Sequence, residues 1–527
     1  MFSCSKSTKE NTQFQLLSSK KTGIDFTNAI NTSDSVNLLT YEYLYNGGGV
    51  GVGHFNRDSL PDLIFTANME KSKIYLNKGN LQFVDITDES KINTANTWCT
   101  GVSVIDINAD GLDDIYISVG GMGNKNDFPN LLYINQGDAT FVESAAAYGL
   151  ADKGESIQSI FFDYDRDGDL DMYLLTGGGF EHSAIMVRPM VTNGSYRNTD
   201  RLYRNDFNDT LGHPVFTNVS REAGINFEGF GLGVSIIDAN NDTWPDIYVS
   251  NDYLSRDLLY INKKDGTFSE EALTYFGHTS HFSMGNDVAD INNDGLMDII
   301  TLDMLPEQHK RRKLMSGSHS YDMFQMAKKF GYGHQYMRNM MHYNNGNGTF
   351  SEIGQLMGVD RTDWSWAPLI SDFNNDGNND LFITNGYGKD ITDLDFVKFR
   401  QSGARTFSKP EDIRKAVLDC LVVRPAIEPN NYIFENRGQL KFQKKASDWG
   451  LDQKSISNGA SYADLDLDGD LELVVNNIDQ QAFVYKNNTR ELNEDSNYIQ
   501  ISLDGSEFNP QAIGAKVSLY HGGKSQT

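Results

Sequence analysis

Asp163-Tyr164-Asp165-Arg166-Asp167-Gly168-Asp169-Leu170-Asp171 is the stretch that decides the fold of this chain. Carboxylates alternate at positions 1, 3 and 5, glycine stands at 6, and an acid closes the element at 9. Oxygen side chains at alternate positions converge on one point when a loop wraps around a hard cation, and glycine at 6 permits the tight bend. The early spacing is that of an EF-hand loop, but the closing acid comes three residues sooner, and β-type segments flank it instead of helices.

The element recurs seven times, beginning at His54, Asp106, Asp163, Asp238, Asp290, Asp372 and Asp464. The expected ligands are Asn56, Asp58 and Asp62 in the first copy, and Asp106, Asn108, Asp110 and Asp114 in the second. The third supplies Asp163, Asp165, Asp167 and Asp171, and the fourth Asp238, Asn240, Asp242 and Asp246. Asp290, Asn292, Asp294 and Asp298 follow, then Asp372, Asn374, Asp376 and Asp380, and last Asp464, Asp466, Asp468 and Glu472. All-oxygen ligands in this number select Ca²⁺, at about six to seven sites. The first loop is left open, because His54 stands at position 1 and Ser59 replaces the glycine. The fourth is weakened by Thr243 at the same place.

Each copy lies between short strands, such as Gly101-Val-Ser-Val-Ile105 before and Ile115-Tyr-Ile-Ser-Val119 after. A second element follows: an apolar-aromatic strand, a turn built on Asn and Gly, then Phe, as in Leu132-Tyr-Ile-Asn-Gln-Gly137 to Phe141. Asn-Gly chemistry marks a hairpin. One repeat therefore reads as four antiparallel strands, and seven repeats as propeller blades. The last repeat lacks its Phe strand after Phe483–Asn488, and the N-terminus holds an orphan copy, Phe14-Gln-Leu-Leu with Gly23-Ile24. Residues 14–24 are expected to complete the seventh blade and close the ring, which removes exposed sheet edges. The fold class is all-β: a seven-bladed propeller over residues 14–490 with partly helical insertions, a polar tail over 1–13, and an incomplete C-terminal β domain over 491–527.

These residues resemble the FG-GAP or VCBS repeats of integrin-alpha-type β-propellers, a resemblance that implies calcium in the hairpin loops. Asn497-Tyr-Ile-Gln-Ile-Ser-Leu-Asp-Gly505 with Ile513-Gly-Ala-Lys-Val517 resembles the opening of an ASPIC/UnbV domain. The pairing is similar to the cartilage acidic protein family and its bacterial members.

Composition narrows the function. A net charge of −27 over 527 residues argues against a nucleic-acid partner. No apolar run is long enough to span a bilayer. Three cysteines, Cys4, Cys99 and Cys420, make no disulfide framework. Met1-Phe2-Ser3-Cys4 resembles the end of a bacterial lipoprotein signal without its preceding apolar stretch, so Cys4 is a candidate lipidation site and any membrane contact would run through it. HExxH, GxSxG and Walker A patterns are not found.

Repeat starts are spaced 52, 57, 75, 52, 82 and 92 residues apart, which marks insertions at 178–200, 305–342 and 389–428. Insertions on propellers map to loops of one face. The second is the basic block of an acidic chain, with Lys310, Arg311, Arg312, His334, Tyr336 and Arg338 as candidate ligand-binding residues. The third should hold a helix opened by a capping box at Ser408 and Glu411, with Ile413, Ala416, Val417 and Cys420 on its packed face. The expected function is a non-catalytic, calcium-stiffened binding module for a glycan or protein, in the extracellular space or on a bacterial outer membrane. A lyase-like enzyme for acidic polysaccharide, or an accessory subunit of an outer-membrane uptake complex, are the alternatives.

Overall fold

The computed structural model describes residues 12–121, 128–177, 186–208, 210–315, 321–406, 409–493, 495–521 and 524–527. Cys4, and the part of the first insertion over 178–185, lie outside them.

Seven four-stranded antiparallel sheets form a ring. Blade 2 shows the pattern: Cys99–Ile105, Asp114–Val119, Leu131–Asn135 and Phe141–Glu143, from the axis outward. The acidic loop joins its first two strands, and the Asn/Gly turn joins the last two. In blade 7 the fourth strand is Phe14–Leu16, paired antiparallel with Phe483–Asn487 in the register Phe14↔Asn487 and Leu16↔Tyr485. The ring thus closes by pairing between remote ends of the chain, as the orphan Phe motif implies.

The core is divided among the gaps between blades. Ile105, Tyr116 and Leu132 of blade 2 pack with Phe161, Met172 and Leu174 of blade 3, and other gaps repeat this arrangement. The second strand of a blade is therefore covered on both faces, and Asp114–Val119, Asp171–Thr176 and Asp246–Asn251 are buried at every residue. Inner strands approach so closely that a Cβ on Gly459 would lie 2.4 Å from the Gly48 carbonyl oxygen. Within the run over 47–53, a Cβ on Gly48 would lie 2.2 Å from the Thr66 carbonyl oxygen and one on Gly53 2.5 Å from a Val104 methyl, so the close approach requires glycine there as well. The inner strands surround an axial cavity of about 380 Å³.

All three insertions join the second and third strands of their blades, in blades 3, 5 and 6, and so emerge opposite the acidic loops. On that side Tyr41, Tyr43 and Tyr45 from the stretch before blade 1 pack with Trp98, Trp364 and Tyr387. The second insertion holds helices His309–Leu314 and Tyr321–Lys329. The third holds Leu394–Thr406 and Pro410–Val423. Ser408, named for the capping box, lies outside the described residues; the second helix of this insertion begins at Pro410 with Lys409 at the cap position and no side-chain cap bond. Pro410 has no N–H to satisfy and a preset φ, so it starts the helix unaided. Val417 and Leu421 are buried on the packed face, with Ile413 and Cys420 against them.

The C-terminal stretch crosses the opposite, acidic face. Its described strands are only the pair Leu519–His521 and Lys524–Gln526, and residues 497–505 carry no strand despite their alternation. Among the described residues their backbone has no sheet neighbour, whereas nearby side chains bond to the loops. Ser506 donates to the Gly168 carbonyl at 2.7 Å, Gln511 to Asp113 at 2.7 Å and Gln526 to the Gly377 carbonyl at 2.9 Å. Among the described residues no helix is long and apolar enough to cross a membrane.

Candidate metal centres on the acidic face

In the second loop the Asp106 carboxylate accepts the Asp110 and Gly111 amides at 3.0 and 2.8 Å. Asp114 at position 9 accepts the Ile107 amide at 3.2 Å and the Asn135 amide at 2.7 Å. The amides at positions 5 and 6 likewise reach the first carboxylate in the loops beginning at Asp290, Asp372 and Asp464. Positions 4 and 6 both take left-handed backbone: Ala109 and Gly111, Asn293 and Gly295, Leu467 and Gly469.

The first loop departs from this frame, and the fourth keeps it with Thr243 in place of the glycine. In the first, the His54 ring lies 3.7 Å from Asp113 of the neighbouring loop, whose carboxylate raises its pKa. Asn56 donates to Asp58 at 2.9 Å, and Asp62 alone keeps the buried closing position. In the fourth loop Thr243 adopts φ +73°, and its amide reaches Asp238 at 3.0 Å as the glycines do elsewhere. A β-branched residue there costs about 1–2 kcal/mol. Thr243→Gly should therefore stabilise the protein by about 1 kcal/mol net of the lost Arg166–Thr243 hydroxyl bond. A urea midpoint that fails to rise would show that the loop relieves the strain in another way.

The donor set fits a hard cation. The closing acids are buried in the protein interior, and desolvation pushes Asp114 up to about 8 and Asp171, Asp380 and Glu472 up to about 9. Several inward oxygens have no hydrogen-bond partner: Oδ1 of Asp163, Asp165, Asn292 and Asp466, and Oδ2 of Asp380. In the third loop Asp163, Asp165 and Asp171 each bring one oxygen within 4.8 Å of the others, and in the seventh Asp464, Asp466 and Glu472 do the same. Buried, convergent and unsatisfied oxygens are what a divalent cation would complete. These are the two copies with a carboxylate at position 3. At the seventh, the Lys486 ammonium lies 3.3 Å from Asp466 and 3.5 Å from Asp468, so an internal cation shares that loop.

Three features escape a reading of the sequence. Asp169 and Asp470, at position 7, are pushed up to about 8 and 7, chiefly by burial, and Asp470 converges with Asp468 and Glu491 in a further acidic group beside the seventh loop. Their signal was present as one more step of the acidic alternation. The Asn of the Leu-Tyr-Ile-Asn strand is a staple between blades. Asn135 donates to the Phe55 carbonyl of blade 1 at 3.1 Å, Asn262 to Tyr164 of blade 3 at 2.8 Å, and Asn487 to Phe373 of blade 6 at 2.9 Å. Position 4 then links loop to loop: Asn293 donates to the Gly377 carbonyl, Asn375 to Gly469 and Arg166 to Thr243.

The basic candidates fall into two groups. Arg311 is held by Asp363 at 2.8 Å and Asp390 at 2.7 Å, beside the exposed Lys310 and half-buried Arg312 on the same helix. Arg338 pairs with Glu352 at 3.0 Å and lies over Tyr336, while the His334 ring sits 6.1 Å from Phe324.

Residues 54–117, 238–301 and 331–383 match the model of the FG-GAP-like repeat. The chain carries FG-GAP-like repeats. The matched repeats include the acidic loops of blades 1, 2, 4, 5 and 6. The chain is also 29% identical to human cartilage acidic protein 1 over 167 residues, which is 32% of this chain and 22% of that protein. With the mouse protein the identity is 33% over 113 residues, 21% and 16% of the two chains. The similarity therefore spans less than a quarter of either relative's length. Among solved structures, an Agrocybe aegerita lectin that recognises non-reducing terminal N-acetylglucosamine aligns at a TM-score of 0.35 and 15% identity, covering 82% of this chain and 85% of its own. The Photorhabdus luminescens Tc holotoxin pore aligns at 0.31 and 10%, covering 81% and 16%.

Proposed function

We propose that the FG-GAP-like repeats bind Ca²⁺ and that the chain serves as a binding module outside the cell or on its surface. One observation carries the reading: closing carboxylates are buried beside unsatisfied oxygens, at the same place in successive blades. A charged carboxylate is strongly disfavoured when buried, even where it accepts backbone amides, and a divalent ion held by several such oxygens offsets that cost. Extracellular calcium modules bind at about 10⁻⁴–10⁻³ M, which suits a protein that meets millimolar calcium. With calcium stiffening one face, the ring presents its insertions on the other as a fixed surface for a partner. Arg311 and Arg338 being tied into ion pairs supports a scaffold rather than catalytic groups free to act.

Isothermal titration with CaCl₂ tests the reading. About six ions per chain are expected, and the substitutions Asp165→Asn with Asp167→Asn should remove one while leaving the fold intact, because Asp163 and Asp171, which accept the amides of Gly168, Tyr164 and Asn205, are unchanged. Absence of calcium uptake, or an unchanged stoichiometry in that variant, would overturn it.

A further inference from the structure

We propose that the groove built by the second insertion, opposite the acidic loops, docks an acidic peptide segment through an apolar or aromatic anchor side chain. The inference rests on the binding-module reading above and names its site and ligand class. The groove encloses about 320 Å³ between Leu254, Met323, Phe324, Ala327, Tyr336 and Met337. That is the size of a pocket that takes one or two side chains. Around it the helix Tyr321–Lys329 leaves Tyr321 73% and Met326 47% exposed, and Tyr336 is 41% exposed. Large apolar side chains gathered at one concave place mark an interaction site.

Two observations select the occupant. The polar groups of the floor are already engaged: Gln335 donates to the Ser255 carbonyl at 3.2 Å, and the His281 ring bonds the Tyr253 carbonyl at 2.9 Å. A sugar ring, which needs several oriented hydrogen bonds, is poorly served there. Thioethers and aromatic faces suit an apolar anchor of variable shape. The rim, in contrast, is cationic. The Lys328 ammonium lies 5.8 Å from the Phe324 ring centre and Lys329 follows it on the same helix, whereas the Arg338 guanidinium over Tyr336 is already paired with Glu352 at 3.0 Å. Lys328 and Lys329 make no ion pair among the described residues, in a chain whose net charge is −27. An acidic segment is repelled by most of this surface and attracted at the groove, which gives both register and selectivity.

The test is panning of a random phage-displayed peptide library of about twelve residues on the calcium-loaded chain, followed by anisotropy titration of the enriched peptides. Enrichment of an aromatic or leucine anchor flanked by Asp and Glu is expected. Affinity should fall about tenfold in Lys328→Glu with Lys329→Glu, and again in Tyr336→Ala. All three residues are exposed or half-exposed, so an unchanged melting temperature separates lost binding from lost folding. No enrichment over a bare surface, or enriched peptides that bind both variants equally, would overturn the proposal. Oligogalacturonate binding that weakens in the same variants would assign the groove to an acidic glycan and overturn the peptide assignment. Calcium titration of these variants should match the parent, so failure here is distinguishable from failure of the metal reading.

Discussion

Chelating calcium should lower the melting temperature by about 15 °C relative to about 10 mM calcium. If each site binds near 10⁻⁴ M, that concentration stabilises the folded chain by about 2.7 kcal/mol per site. Six such sites contribute about 16 kcal/mol, against an unfolding entropy of about 1 kcal/mol per kelvin for a chain of this size. The chelated protein should also show an unusual pH dependence. Asp114, Asp171, Asp380 and Glu472 have folded pKa values of about 8 to 9, well above their unfolded values. Between those limits the folded state binds more protons than the unfolded one, so stability falls as pH rises from about 5 to 9. Without calcium, the melting temperature at pH 8.5 should lie about 10–15 °C below that at pH 5.5. With calcium the ion replaces those protons, and the decline should shrink or reverse. Differential scanning calorimetry across both conditions checks this. Equal melting temperatures with calcium and chelator would remove the metal from the loops, and a pH profile unaffected by calcium would remove it from the closing acids.

What the sequence discloses here is what covalent spacing can encode. Acids at 1, 3 and 5 with a residue free to turn at 6 define a loop that needs no knowledge of its neighbours. Seven copies give seven blades, and the orphan Phe14 motif gives the closure. What it conceals depends on contacts between repeats. Asn135 reads locally as a turn residue, since its side chain accepts the Gly137 amide at 2.9 Å. Its bond to Phe55, 80 residues away, exists only once blade 1 stands beside it. Arg311 looks like part of an open basic patch until Asp363 and Asp390 arrive from 52 and 79 residues downstream. The alternation over 497–505 states a preference for strand, yet a strand is realised only by pairing, and that stretch has no neighbour to pair with among the described residues.

Ring closure by a remote strand makes Phe14 the residue whose loss should be felt furthest. Its side chain is fully buried, 6.1 Å from Phe373 and 6.3 Å from Trp449 between ring centres, and Gln13 beside it donates to the Phe373 carbonyl at 2.9 Å. Phe14→Ala should cost about 3–5 kcal/mol by cavity formation alone. Phe141→Ala, at the equivalent position of blade 2, removes the same side chain from an equally buried site and should cost about as much. The two differ in what they release. The strand of Phe141 follows its partner through a short turn, whereas the strand of Phe14 reaches Asn487 only by closing the whole ring. Loosening it should let blade 7 part from its fourth strand while the other blades stay folded. Hydrogen exchange should therefore quicken at least tenfold at Phe483–Asn487 in Phe14→Ala, and remain slow at Leu131–Asn135 in Phe141→Ala. Deleting residues 12–17 should go further, exposing the edge of Phe483–Asn487 and shifting the chain toward aggregates on size exclusion relative to the parent. A deletion variant that elutes as the parent does, with protected blade 7 amides, would show that the inner strands hold the ring shut without this strand, and that its role is limited to filling space beside Trp449.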